Sequence, residues 1–147
     1  MGIFTILETS ASALSAERQR AEIVAANLAN AETTRTTGGG PYRRKEVVFS
    51  NSPSGSFRML LAGSSAQPGA LSDPVHVSQV VEDPAPPVMR YEPGNPDANS
   101  EGFVAYPNIN PVMEMADLMD AVRAYQLNAA AVNASKQILV GALDILK

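Results

Sequence analysis

From Met115 to the end of the chain, apolar residues return in alternating steps of three and four: Met115, Leu118, Val122, Tyr125, Ala129, Val132, Leu139, Leu143 and Leu146, with Lys136 the one interruption. At 3.6 residues per turn this spacing lies along a single helix face, and ten positions in register amount to a sustained heptad repeat. Asn110 followed by Pro111 supplies a cap residue and then the imino acid suited to a first helical turn. Glu114, Asp117 and Asp120 load the early turns with negative charge, as the helix dipole favours. The spacing predicts a helix of about 36 residues, roughly 54 Å long.

A second helix is expected at the other end. Phe4, Leu7, Ala11, Leu14, Arg18, Ala21, Ala25 and Leu28 keep the same spacing, with Arg18 alone breaking the apolar seam. Nothing from Ile3 to Asn30 forbids a helix of about 27 residues, roughly 40 Å. The plainest arrangement is an antiparallel hairpin of the two helices. With Leu28 set near Leu118, Lys136 falls opposite the region of Glu8, and that pair is a candidate for fixing the register.

Both helices carry apolar residues on more than one side. The C-terminal one shows Leu127, Ala131, Ala134, Ile138 and Ile145 away from its seam, and the N-terminal one Ile6, Ala13, Ala16 and Ile23. Helices of that kind are buried on more than one face. Each buried aliphatic side chain contributes about 1.5–3 kcal/mol, and two helices alone cannot cover several such faces. The membrane is a poor home for them, because Gln126, Asn128, Asn133, Ser135, Lys136 and Gln137 make the C-terminal helix too polar to span. The chain reads as a subunit whose helices are completed by neighbours.

The 11 Pro and 10 Gly fall mostly between Gly38 and Pro111, so the middle is extended structure and loops. Strands are expected within Arg43–Ser50 and Pro74–Asp83, joined by Ser/Gly/Pro connectors. A hairpin is expected from Pro87–Pro93 and Gly102–Asn108 around the turn-rich GNPDANSE. The fold class is therefore α+β, with residues 1–35 and 107–147 forming a helical coiled-coil core and 36–106 a β-rich middle region.

Chemistry is sparse. A net charge of -4 argues against nucleic-acid binding, which needs a clustered basic surface. Arg43, Arg44 and Lys45 form the only basic run and read as a solvated strand edge. With no Cys and His76 the only histidine, neither a Cys-ligated nor a His-clustered metal site can be assembled. Gly38–Gly40 lacks the Lys-Ser/Thr of a phosphate loop. No catalytic residue, cofactor, metal or small-molecule substrate is expected, and no cleavable signal peptide is visible.

Four stretches nevertheless carry a resemblance. SASALSAERQRAEIVAANLANAETTRT (Ser10–Thr36) resembles the amino-terminal signature of bacterial flagellar rod and hook proteins. The following GGGPYRRKEVVF, the segment running from VVEDPAPPVMRYEP through GFVAYPNIN, and the terminal MADLMDAVRAYQLNAAAVNASKQI together resemble the proximal-rod members in particular. The resemblance implies a structural subunit of the basal-body rod, polymerising through its terminal helices into a hollow shaft that transmits torque. It implies export through the flagellar type III apparatus without a cleaved signal, and a place in the periplasm. The partners it implies are other copies of this chain, other rod proteins, the rod-to-membrane-ring adaptor and the export apparatus. A soluble helical adaptor or export chaperone, a stable dimer, would show the same heptads.

The residues expected at the helix seam and assembly interface are Phe4, Leu7, Ala11, Leu14, Arg18, Ala21 and Leu28 with Met115, Leu118, Val122, Tyr125, Asn128, Val132, Lys136, Leu139 and Leu143. To these we add Asn27 and Asn30, which lie off the seam with their amides free for a neighbouring subunit or for the returning backbone near Thr33–Gly40. Asn at a helix end followed by three glycines suits a sharp reversal of the chain from the helical layer to the β layer.

Overall fold

A computed structural model describes residues 3–51 and 74–145. The order is α1 (Ile3–Ala29), β1 (Lys45–Asn51), β2 (Val75–Glu82), β3 (Val88–Tyr91), β4 (Phe103–Tyr106) and α2 (Pro111–Ile145). Two long helices with small sheets between them make the class α+β, and the four strands fall in the segments expected for them, β1 running one residue past Ser50 to Asn51. Most of the Ser/Gly/Pro connectors between Ser50 and Pro74, the side chain of Phe4 and the terminal Leu146 lie outside the described residues.

Local chemistry accounts for the helix limits. At the start of α2 the Asn110 side chain accepts a 3.0 Å bond from the amide of Val112, and Pro111 occupies the first turn, where its missing N–H costs nothing. The Ser/Thr-rich stretch of α1 stays helical because its hydroxyls bond back to the preceding turn: Thr9 Oγ1 to the Thr5 carbonyl at 2.9 Å, Ser12 Oγ to that of Thr9 at 2.8 Å. Helix α1 ends where the Asn30 amide bonds the Ala26 carbonyl. The chain then doubles back through Gly39 and Gly40, both at positive φ, and Tyr42 N returns to the carbonyl of Thr33 at 3.0 Å.

The chain divides into two compact units: one of Met1–Gln19, Phe49–Ser78 and Ala121–Lys147, the other of Arg20–Val48 and Gln79–Asp120. Each groups the start of one helix with the end of the other. Strands β1 and β2 form one two-stranded sheet, extended by a 2.8 Å bond from Asp83 N to the Arg44 carbonyl. Strands β3 and β4 form the expected hairpin, antiparallel, with Val88 opposite Tyr106 and Tyr91 opposite Phe103.

The hairpin loop is shaped by asparagines. Asn95 Oδ1 accepts from Asp97 N, and Asn99 Oδ1 accepts from both Glu101 N and Phe103 N. Gly102 closes the loop at φ +83, where a Cβ would stand 2.9 Å from Tyr91 Cε2. A Gly102→Ala chain is therefore expected to lose about 1–3 kcal/mol from left-handed strain and displacement of the Tyr91 ring, measured by chemical denaturation of the full chain.

Burial along the helices is displaced from the heptad seam. In α1 the buried residues are Ser10, Ala16, Val24 and Asn27, whereas Leu7, Leu14, Ala21 and Leu28 are half-buried and Ala11, Arg18 and Ala25 are exposed. In α2 they are Glu114, Ala121 and Ser135; Leu118, Asn128, Val132 and Leu139 are half-buried, while Met115, Val122, Tyr125, Lys136 and Leu143 are exposed. Most of the buried positions come one residue before a seam position, a turn of about 100° about the helix axis. Glu8 and Lys136 are both exposed, and no ion pair joins them among the described residues.

Candidate assembly site

The buried stripe of both helices is made mostly of small or polar side chains, and on α2 most of the large apolar ones face outward. On α2, Val112 is 74% exposed, Leu127 72%, Ile138 62% and Leu143 62%, and Met113, Met115, Met119, Val122, Tyr125 and Val140 are exposed as well. Isolated exposed apolar residues are ordinary; a series running the length of a helix marks a surface made to be covered. Between Ala124 and Leu143 the only charge is Lys136, so that half of the helix presents an almost neutral face.

Within the unit of Arg20–Val48 and Gln79–Asp120 lies a buried polar knot. Asn27 is fully buried, and its amide uses every bond it can make. Nδ2 donates to the Lys45 carbonyl at 2.8 Å and to Glu114 Oε2 at 3.1 Å, while Oδ1 accepts from Lys45 N at 2.9 Å and from the Tyr42 hydroxyl at 3.1 Å. The same side chain thus ties the last turn of α1 to the first residue of β1 and to the first turn of α2.

Glu114, 1% exposed, completes the knot with its other oxygen: Oε1 accepts from Arg44 Nε at 2.6 Å. The Arg44 guanidinium also pairs with Glu46 and, at 3.7 Å, with Asp117. Burial lowers the pKa of Arg44, but the hydrogen bond and charge of Glu114, followed by Glu46, outweigh it and hold the guanidinium above its ordinary value. Burial, then the charges of Glu82 and Glu114, push the Tyr42 hydroxyl up, so it stays protonated as a donor to Asn27. Lys45 Nζ stands 5.8 Å from the centre of the Tyr42 ring.

Of the two asparagines expected to meet the returning chain, Asn27 does so, at Tyr42–Lys45 rather than at Thr33–Gly40. Asn30 stays local, donating to Ala26 and accepting from Thr33 Oγ1 at 3.2 Å. The reading of Arg43–Lys45 as a solvated strand edge is corrected at Arg44, whose side chain is only 23% exposed because Glu114 draws it in. Glu114 was legible only as a dipole-facing acid in a first turn. Its partners are 70 and 87 residues away, and no local pattern announces them.

A second polar cluster shapes the hairpin. Thr34 Oγ1 donates to Asp97 Oδ2 at 2.7 Å, and Glu92 Oε2 accepts from Asn95 Nδ2 at 3.1 Å and from the Tyr106 hydroxyl at 2.9 Å. The bonds from Asn95 and then Tyr106 hold the Glu92 carboxyl below its ordinary value. A carboxyl with a depressed folded pKa supports folding above its unfolded value and loses that support as the pH falls through the folded one; the window here lies below pH 4.5. Carbon-detected titration is expected to show Glu92 changing protonation below that pH, and Tyr106→Phe moving its midpoint upward.

Among the described residues no helix is long and apolar enough to cross a membrane, and no group of His, Cys, Asp and Glu is arranged to hold a metal ion.

Family comparisons agree with this architecture at both ends. The model for flagella basal body rod proteins matches residues 7–35, and that for the C-terminal part of flagellar basal body rod FlgEFG proteins matches 100–145. Asn27 lies in the first match and Glu114 in the second, while Tyr42–Glu46, which join them, lie in neither. Over the full chain the protein is 42% identical to the flagellar basal-body rod protein FlgC of Bacillus subtilis, each chain covered completely. It is 38% identical to FlgC of Escherichia coli O6:H1, with 99% of this chain and 98% of the relative covered, and 33% identical to FlgC of Borreliella burgdorferi, with 100% and 99% covered. Similarity of this extent, end to end, places the chain in the family of flagellar basal-body rod proteins FlgC.

Proposed function

We propose that this chain is a subunit of the proximal rod that polymerises through its terminal helices into a hollow, torque-transmitting shaft. The supporting observation is the series of large apolar side chains that α2 leaves exposed from Val112 to Leu143 while burying Ala121 and Ser135. In this reading the stretches 1–35 and 107–147 pair as an antiparallel coiled coil in the axial layer, and 36–106 projects from it. Neighbouring copies and other rod proteins cover the exposed apolar residues. The rod-to-ring adaptor and the export apparatus are the remaining partners, met in the periplasm and on the way to it, with no cleaved signal required.

Circular dichroism and sedimentation of the full chain across concentration test the reading. The expected result is a monomer whose helix content falls short of the 27 and 35 residues of α1 and α2 and rises as it assembles. A compact, fully helical dimer at low concentration would favour a helical adaptor or export chaperone instead.

A further inference from the structure

We infer that the Asn27–Arg44–Glu114 knot sets the rotation of α2 about its own axis and so decides which of its faces is offered for assembly. This rests on the reading of the exposed apolar face as the assembly surface. Glu114 is held on both carboxylate oxygens, by Asn27 from α1 and by Arg44 from the strand side. The positions on either side of it, Met113 and Met115, are 62% and 50% exposed. On a helix each is turned about 100° from Glu114, so anchoring that one side chain inward obliges both methionines outward.

Apolar packing makes this choice only weakly. Among the described residues Val24, Val104 and Pro107 are the buried apolar residues of this unit and lie off α2, and the buried apolar residue of α2 itself is Ala121, whose single methyl favours one rotation by little. The heptad seam would turn Met115 inward instead, and two apolar faces about a residue apart are nearly degenerate for a helix this rich in Met, Val and Leu. A polar network removes the degeneracy because the wrong rotation leaves a carboxylate, a guanidinium and an amide without their bonds. Polarity is also fixed: Lys45 holds the Asn27 amide by both N–H and C=O, so Nδ2 must face Glu114 and an acceptor is required there.

Methyl resonances of Met113 and Met115, with their broadening by a soluble paramagnetic agent, report the rotation in the full chain. Replacing the ion pair by apolar residues, Arg44→Met with Glu114→Leu, removes both charges together and is expected to leave the chain folded, with the thermal midpoint lowered only by the loss of the Asn27 Nδ2 acceptor. The two methyls are nonetheless expected to split or lose accessibility, and swimming of a strain dependent on this variant is expected to fall at least tenfold. Glu114→Gln is the second variant, should the first not fold. Gln puts an NH2 donor in place of one carboxylate oxygen, against the N–H of either Asn27 or Arg44, so splitting of the same methyls is expected. A single unshifted set of Met113 and Met115 signals in either folded variant overturns the inference. Shifted signals with full swimming would instead leave the rotational role standing and refute the assignment of this face to assembly.

Discussion

Arg44→Ala is expected to lose about 3–5 kcal/mol of stability at neutral pH, because it strands the carboxylate of Glu114 at 1% exposure with only the Asn27 amide as a partner. That is a large share of the roughly 5–15 kcal/mol that holds a domain together. The reverse truncation is milder: in Glu114→Ala the guanidinium of Arg44 retains Glu46, Asp117 and some contact with water. Urea denaturation of the two variants checks this. If Arg44→Ala is no less stable than Glu114→Ala, Glu114 is not the group left unpaired.

On the outer face the expected effect is on assembly and not on the single chain. Leu127 and Ile138 are 72% and 62% exposed, so replacing both by Asp is expected to change the stability of the monomer by no more than about 0.5 kcal/mol per site. In an assembly that covers them, each aliphatic side chain contributes about 1.5–3 kcal/mol. The double variant therefore forgoes at least about 3 kcal/mol, roughly a hundredfold in association at 1.4 kcal/mol per decade. Fractionation of purified basal bodies is expected to show the variant absent from the rod, and the cells non-motile, while a control with Ser100→Asp in the hairpin loop incorporates normally. Normal incorporation of the Leu127→Asp, Ile138→Asp chain would move the assembly surface elsewhere.

Those two results separate an inner and an outer role that one helix combines. Burying small and polar side chains while exposing large apolar ones inverts the usual order of a globular core. The inversion is intelligible if the energy of packing is deferred until neighbours arrive. What the single chain must secure beforehand is orientation, and four saturated hydrogen bonds on Asn27 with an ion pair on Glu114 supply it at little cost in apolar surface.

Local chemistry made much of the fold legible in advance. The Asn110-Pro111 start of α2, the asparagine-rich turn between β3 and β4 and the glycine reversal after α1 depend on residues a few positions apart, and the structure has each of them. Only tertiary structure decided the rotation of the helices. The heptad spacing places Leu28 and Met115 on the covered side, yet Asn27 and Glu114 occupy it. Periodicity measures where apolar residues cluster on a helix; it carries no information about hydrogen bonds that close between residues 18, 70 and 87 positions apart. A helix with two apolar faces leaves its rotation open to sequence reading, and one buried amide and one buried carboxylate, each satisfied in a single geometry, settle it.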